Sequence, residues 1–314
     1  MNNTNIKPTF SISLLHPRYW SVWLGFGFLA FFVNIMPYRI LLEVGRTIGK
    51  LGMYFGQKRV HIATRNLMLS FPEKDQKEIN TIVVENFKNT GLALIETGIA
   101  WFWPTWRFKR LMTYQNTEQL DTFEKEGKGV LVCFVHALNL EISARAFGVM
   151  GKYGHGVYRP HSNRAYDYIQ CRGRTQNGNT IIDRRDLKKM IRSLRNGERL
   201  FYLPDHDYGH NKSVFVPFFA VEEACTTTGP SILAYPSHCA IITGSGFRNA
   251  SGKYDLILDD SIHETYPQKD MTAAAAMLNK SLETVILRGL DQWMWLHKRF
   301  KSMPDHSKTN ERYL

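Results

Sequence analysis

The sequence predicts an α/β protein with a mixed, mostly parallel sheet flanked by helices, and three observations predict it. Short apolar runs with strand character recur along the chain, each closed by glycine or polar residues. Helical patterns lie between them, so successive strands are joined by crossovers that return them parallel. The 314 residues are enough for one large core or two smaller ones. No internal repeat, low-complexity tract or long linker divides the chain, so a single domain over 38–314 suffices, after an N-terminal segment at 1–37.

In chain order, the first element is Trp20–Met36, seventeen residues without a charge. As a helix it sits at the lower limit for crossing roughly 30 Å of hydrocarbon. Trp20, Trp23 and Tyr38 flank it as interface anchors, and no small-residue cleavage site follows, so it reads as a retained membrane helix at about 20–36, with a buried core helix or a helix lying in the interface as the other readings. Arg39, Arg46, Lys50, Lys58, Arg59 and Arg65 follow it, against Lys7 and Arg18 before it, which keeps the larger portion on the cytoplasmic side. Helical periodicity then covers Thr81–Ile99. Gly129–Val135 reads as a buried strand, Leu140–Met150 as a helix closed by Gly151, and Leu200–Leu203 and Cys239–Thr243 as further strands. In Asp186–Arg195, Leu187, Met190, Ile191 and Leu194 share one helical face, leaving Lys188, Lys189, Arg192 and Arg195 on the others.

Lys and Arg number 40 and Asp and Glu 28, a net charge of +12 that points to anionic partners. Nucleic acid is not expected among them: no helix-turn-helix, zinc finger or RNP-type motif is present, and the basic residues are not clustered with stacking aromatics. A mean hydropathy of −0.29 excludes a bundle of membrane spans. Cys133, Cys171, Cys225 and Cys239 form no C-x-x-C pair and have no histidine at finger spacing, so no metal site is expected.

Chemistry concentrates where the Gly129–Val135 strand runs into His136, with Glu141 five positions on. On one continuous helix the two side chains would diverge by about 140°. If His136 lies on the loop and Asn139 caps the next helix, Glu141 can reach back to one ring nitrogen, leaving the other to take a proton from a substrate hydroxyl. Gly156–Pro160 sets Arg159 beside Pro160, a cation suited to a phosphate or carboxylate. Pro204–Gly209 brings Asp205 and Asp207 to the end of the Leu200–Leu203 strand. No G-x-S-x-G elbow supplies a nucleophilic serine, and no cysteine has an evident base beside it.

The segments HPRYW (16–20), RNL (65–67), SFPEK (70–74), ETGIAWFWP (96–104), H-x4-E (136–141), GVYRP (156–160), PDHDYG (204–209), SVFVPFFA (213–220), TTTG (226–229) and QWMWLHKRFKSMP (292–304) closely resemble, in order, the late lipid A acyltransferases of Gram-negative bacteria. The lauroyl-transferring branch fits PDHDYG and WMWLHKRFK better than the myristoyl one, and a palmitoleoyl-transferring relative is not separated by these motifs. The resemblance implies a glycerolipid-acyltransferase-like fold on an inner-membrane anchor, with the active site facing the cytoplasm. It implies transfer of a fatty acyl chain, without a cofactor, from the thioester of acyl-carrier protein to a hydroxyl of a hydroxyacyl chain on Kdo2-lipid IVA. By its motifs, His136 and Glu141 are catalytic, Arg159 binds acceptor phosphate or the tetrahedral oxyanion, and Asp205 and Asp207 bind substrate by positioning the sugar or organising Arg159, the other reading of the two aspartates being turn formation and helix capping. Alanine follows His136 where the family often has an aromatic residue.

Overall fold

The structure, a computed structural model, describes residues 9–314. Residues 1–8, with Lys7, lie outside the described residues. Four helices open the chain: α1 (Trp20–Ile35), α2 (Tyr38–Phe55), α3 (Gln57–Ser70) and α4 (Gln76–Phe102). Asp75 starts α4 with a capping box, its side chain taking the Glu78 N–H while Glu78 reaches back to the Asp75 N–H. Then come α5 (Thr105–Lys109), β1 (Met112–Gln115), α6 (Gln119–Lys125), β2 (Val130–Phe134), α7 (Leu140–Val149), β3 (His155–Tyr158), α8 (Arg164–Arg174), β4 (Thr180–Asp183), α9 (Leu187–Arg195) and β5 (Arg199–Tyr202). A hairpin, β6 (Ser213–Phe218) and β7 (Val221–Thr227), precedes α10 (Gly229–Ser237), β8 (Ala240–Arg248), β9 (Tyr254–Leu258) and α11 (Met271–Leu287).

Seven strands form one sheet in the order β1-β9-β8-β2-β5-β3-β4, parallel throughout except where β9 turns back on β8. The expected α/β class is therefore the observed one. At its centre every residue of β2 is buried, because helices cover both faces. Leu131 and Cys133 point into one core, Val130, Val132 and Phe134 into the other, as a two-residue period requires.

The helix pair α2 and α4 approaches at small residues. A Cβ on Gly49 would fall 2.1 Å from the Phe87 carbonyl oxygen, and one on Gly91 2.2 Å from both the Gly45 oxygen and the Gly49 nitrogen. Gly49→Val must push the helices apart and is expected to destabilise the fold by about 1–3 kcal/mol. Denaturant unfolding checks this; an unchanged midpoint would refute the close approach.

The membrane span expected at 20–36 is not formed. Helix α1 has 16 residues, roughly 24 Å at 1.5 Å per residue, and Pro37 begins α2. Its inner side is committed to α4, since Leu29 and Val33 are buried and a Cβ on Gly98 would touch both. No helix among the described residues is long and apolar enough to cross a membrane. The outward side of α1 is nevertheless apolar: Trp20, Leu24, Phe28, Phe31 and Ile35, spaced as one helical stripe, are all exposed. Along α2, Ile40, Ile48, Leu51 and Phe55 are exposed as well.

Candidate active site

Strands β2, β5 and β3 are neighbours running the same way, so their C-terminal ends open on one edge of the sheet. His136 follows β2, Asp205 follows β5 and Arg159 follows β3, the edge at which open α/β sheets build their sites.

His136 is held by Asp205. The ring Nδ1 lies 2.7 Å from Asp205 Oδ1, and the His136 main-chain N–H donates to Oδ2 at 2.7 Å. Trp293 donates its indole N–H to the same Oδ2 at 2.6 Å. Burial would raise the pKa of this fully buried carboxyl, but the charge and hydrogen bonds of His136 outweigh it and hold the group well below the usual carboxylate range. With Nδ1 donating to a carboxylate, the lone pair sits on Nε2, the nitrogen left to act as a base.

Glu141 does not take the position expected for it. Both its oxygens are occupied: Arg174 Nε donates to Oε1 at 3.0 Å and to Oε2 at 3.2 Å, its Nη2 bonds Oε1, and the Trp101 indole N–H donates to Oε2 at 2.9 Å. A guanidinium fork and an indole satisfy the carboxylate from α8 and α4, so nothing draws it toward the imidazole. Gly173 makes room for this, because a Cβ there would stand 2.5 Å from the Trp101 ring. Asn139 precedes α7 as expected, but its φ/ψ of −91/26 is not extended, and its side chain makes no capping bond.

His136, Glu141 and Arg174 line one cavity of about 260 Å³, walled by Phe134, Leu140, Phe147, Val157, Phe201 and Leu203. It runs beside the base between α7 and the ends of β3 and β5. Arg159 is exposed and lines a different concavity with His161, Arg184 and Arg185. Asp207 is buried and spent on architecture: it accepts the Gly209 N–H at 2.8 Å and the Ser302 N–H and hydroxyl at 2.7 and 2.9 Å, pinning the C-terminal segment to the turn. Neither aspartate bonds Arg159, so the substrate-facing role expected of the pair is replaced by an imidazole partner in one case and a strap in the other.

All four cysteines are buried and free, and burial pushes each thiol's pKa up, so none is available as a thiolate. Ligand atoms of His136, Asp205 and His206 lie within 4.8 Å of one another. The two imidazoles are stacked with 6° between planes, however, so their in-plane lone pairs cannot converge on one ion. Arg174, Trp101 and Trp293 were not foreseen; only the two tryptophans lie in segments the motifs had singled out.

An imidazole bonded to a buried carboxylate beside an apolar cavity, with no thiol placed as a nucleophile, suits transfer of an apolar acyl group. The comparison with known proteins makes the class definite: the chain belongs to the bacterial lipid A biosynthesis acyltransferase family, which it matches over residues 7–302. It is 43% identical to the lipid A biosynthesis lauroyltransferase of Escherichia coli (strain K12) over 96% of this chain and 98% of that one. Identity is 38% to the palmitoleoyltransferase of the same organism, over 94% and 95% of the two chains, and 28% to its myristoyltransferase, over 96% and 93%. It is thus an acyltransferase of lipid A biosynthesis.

Proposed function

We propose that the protein transfers a lauroyl chain from the thioester of acyl-carrier protein to a hydroxyl of a hydroxyacyl chain on Kdo2-lipid IVA, at the cytoplasmic face of the Gram-negative inner membrane. The observation that carries the chemistry is His136 bound through Nδ1 to buried Asp205 at the mouth of the apolar cavity. The 43% identity to a lauroyltransferase favours that chain over its palmitoleoyl and myristoyl counterparts.

In the proposed reaction, the acceptor hydroxyl gives its proton to His136 Nε2 as its oxygen attacks the thioester carbonyl carbon. Asp205 stabilises the imidazolium that forms. When the tetrahedral intermediate collapses, the carbon–sulfur bond breaks and the departing thiolate takes that proton back. Arg174, fixed by Glu141 in the wall of the same cavity, places a cation beside the developing oxyanion. The acyl chain occupies the apolar cavity. Mass spectrometry of the purified protein supplied with Kdo2-lipid IVA and equal lauroyl- and palmitoleoyl-carrier protein tests this. Acceptor bearing one added lauroyl group is expected; release of free fatty acid alone, or preference for palmitoleoyl, overturns it.

Arg159, Arg184 and Arg185, grouped on one concavity, suit the acceptor's phosphates. Replacing all three with alanine is expected to raise KM for the lipid acceptor by roughly tenfold, with kcat nearly unchanged, since each exposed charge pair contributes about 0.2–1 kcal/mol. Equal KM values would remove the assignment.

The apolar stripe on α1 and the exposed apolar residues of α2, interspersed with Arg39, Arg46 and Lys50, support seating in the membrane interface by both helices in place of a span. Leu24→Ser, Phe28→Ser and Phe31→Ser together are expected to shift the protein from sedimenting with anionic vesicles to the supernatant. Undiminished sedimentation would move the contact elsewhere.

A further inference from the structure

Beside His136 stands a column of imidazoles that lie within the quoted motifs but have no part in the proposed mechanism. The His206 ring lies on the His136 ring with centroids 3.6 Å apart and 6° between planes, and His297 continues the stack at 4.2 Å and 6°. His206 is 8% exposed, and its Nε2 has no hydrogen-bond partner among the described residues; the same holds for buried Nδ1 of His297.

Asp205 fixes His136 only along one edge, through Nδ1 and the main chain, which leaves the ring free to rock about that edge. We propose that His206 is a positioning residue for acyl transfer: stacked on His136, it fixes the plane of the imidazole, keeps water from that face, and offers an uncharged π surface to the imidazolium formed in the reaction.

The surroundings suit a partner that stays neutral. Burial lowers the His206 pKa well below the ordinary imidazole value, and His136, His297 and Arg299 reinforce this while Asp205 opposes it. Arg299, fully buried and donating to the Cys225 carbonyl at 2.6 Å, is a fixed cation on that side. Lys301 and Asp207 act on His297 with opposite signs. Across the cavity stand Glu141 and Arg174, paired to each other. A charged His206 would repel the imidazolium, whereas a neutral aromatic face attracts it.

The inference deepens the acyl-transfer reading, and its kinetic arm rests on that reading. The test compares full-length His206→Phe, which keeps a ring without nitrogen, with His206→Leu, which keeps bulk without a ring. His206→Leu is expected to lower kcat by roughly three- to thirtyfold, the worth of one cation–π contact, with KM for acyl donor unchanged, and His206→Phe to restore kcat to within about twofold of wild type. A second measurement needs no substrate. The His136 Nδ1 proton, bonded to Asp205, should give a sharp downfield NMR line in wild type and in His206→Phe, and a line broadened by exchange with water in His206→Leu. Wild-type kcat and a sharp line in His206→Leu, or an equal fall of kcat in both variants, would overturn the proposal. Should His206→Leu not fold, His297→Leu, one ring further from the base, carries the same two readouts with a smaller loss expected. A failure of acyl transfer in the wild-type protein would leave the NMR comparison standing.

Discussion

Asp205→Asn is expected to lower kcat by roughly 10³–10⁴-fold while KM for either substrate changes little. The geometry forces this outcome. Two fixed donors, the His136 main-chain N–H and the Trp293 indole N–H, converge on Oδ2, so an asparagine must place its carbonyl oxygen there. Its NH2 then occupies the Oδ1 position and donates to His136 Nδ1. That selects the tautomer with the proton on Nε2, where no base remains, and it removes the charge that stabilises the imidazolium. Because the two residues act as a unit, the His136→Ala/Asp205→Asn double variant should be no slower than His136→Ala alone. Steady-state kinetics on the folded variants decides the matter, and an Asp205→Asn enzyme within tenfold of wild type would refute the pairing. The same carboxyl has a stability signature in acid. Its folded pKa is depressed, so its contribution is present above the ordinary carboxylate value near 3.9 and is lost as pH falls below it toward the folded value. Wild type should lose stability below about pH 4 more steeply than Asp205→Asn.

Glu141→Gln is expected to destabilise the fold by about 2–3 kcal/mol and to lower kcat/KM by one to two orders of magnitude. It leaves the Arg174 guanidinium without its fork in the cavity wall. Breaking a fully buried pair costs about 3–5 kcal/mol; the Arg174 side chain is 27% exposed, so water compensates in part. A double-mutant cycle separates this role from direct action on the base. Coupling of Glu141 to Arg174 should be large and coupling of Glu141 to His136 small; the reverse pattern would restore Glu141 to the imidazole.

These two expectations mark the boundary of what the sequence discloses. Strand β2 was legible because five consecutive apolar residues have only one use in a sheet covered on both faces. Helix α7, the basic α9 and the strand ends carrying His136, Arg159 and Asp205 were legible for similar local reasons. The partner of His136 was not, because it depends on strand order: β5 lies beside β2, ahead of β3, and no local pattern encodes that neighbour. Glu141, five residues from His136, was the nearer candidate in sequence, and Arg174 on α8 took it. The membrane span is not supported, since no helix among the described residues is long and apolar enough to cross a membrane. Its composition fits hydrocarbon, but Pro37 starts a new helix and Gly98 draws the inner face of α1 onto α4.

The strap that fixes the site has a consequence for how the enzyme comes into being. Asp205 lies 69 residues from His136 and 88 from Trp293, and Trp293 and Ser302 reach the site only from the far C-terminal segment. A chain that has completed its central sheet already sets Asp205 beside His136, because the two follow neighbouring strands, but it leaves Asp205 Oδ2 without the Trp293 N–H and Asp207 without Ser302. A chain stalled on the ribosome before residue 293 is therefore expected to keep the His136–Asp205 pair but to hold it less firmly, and to transfer acyl groups more slowly than the full chain.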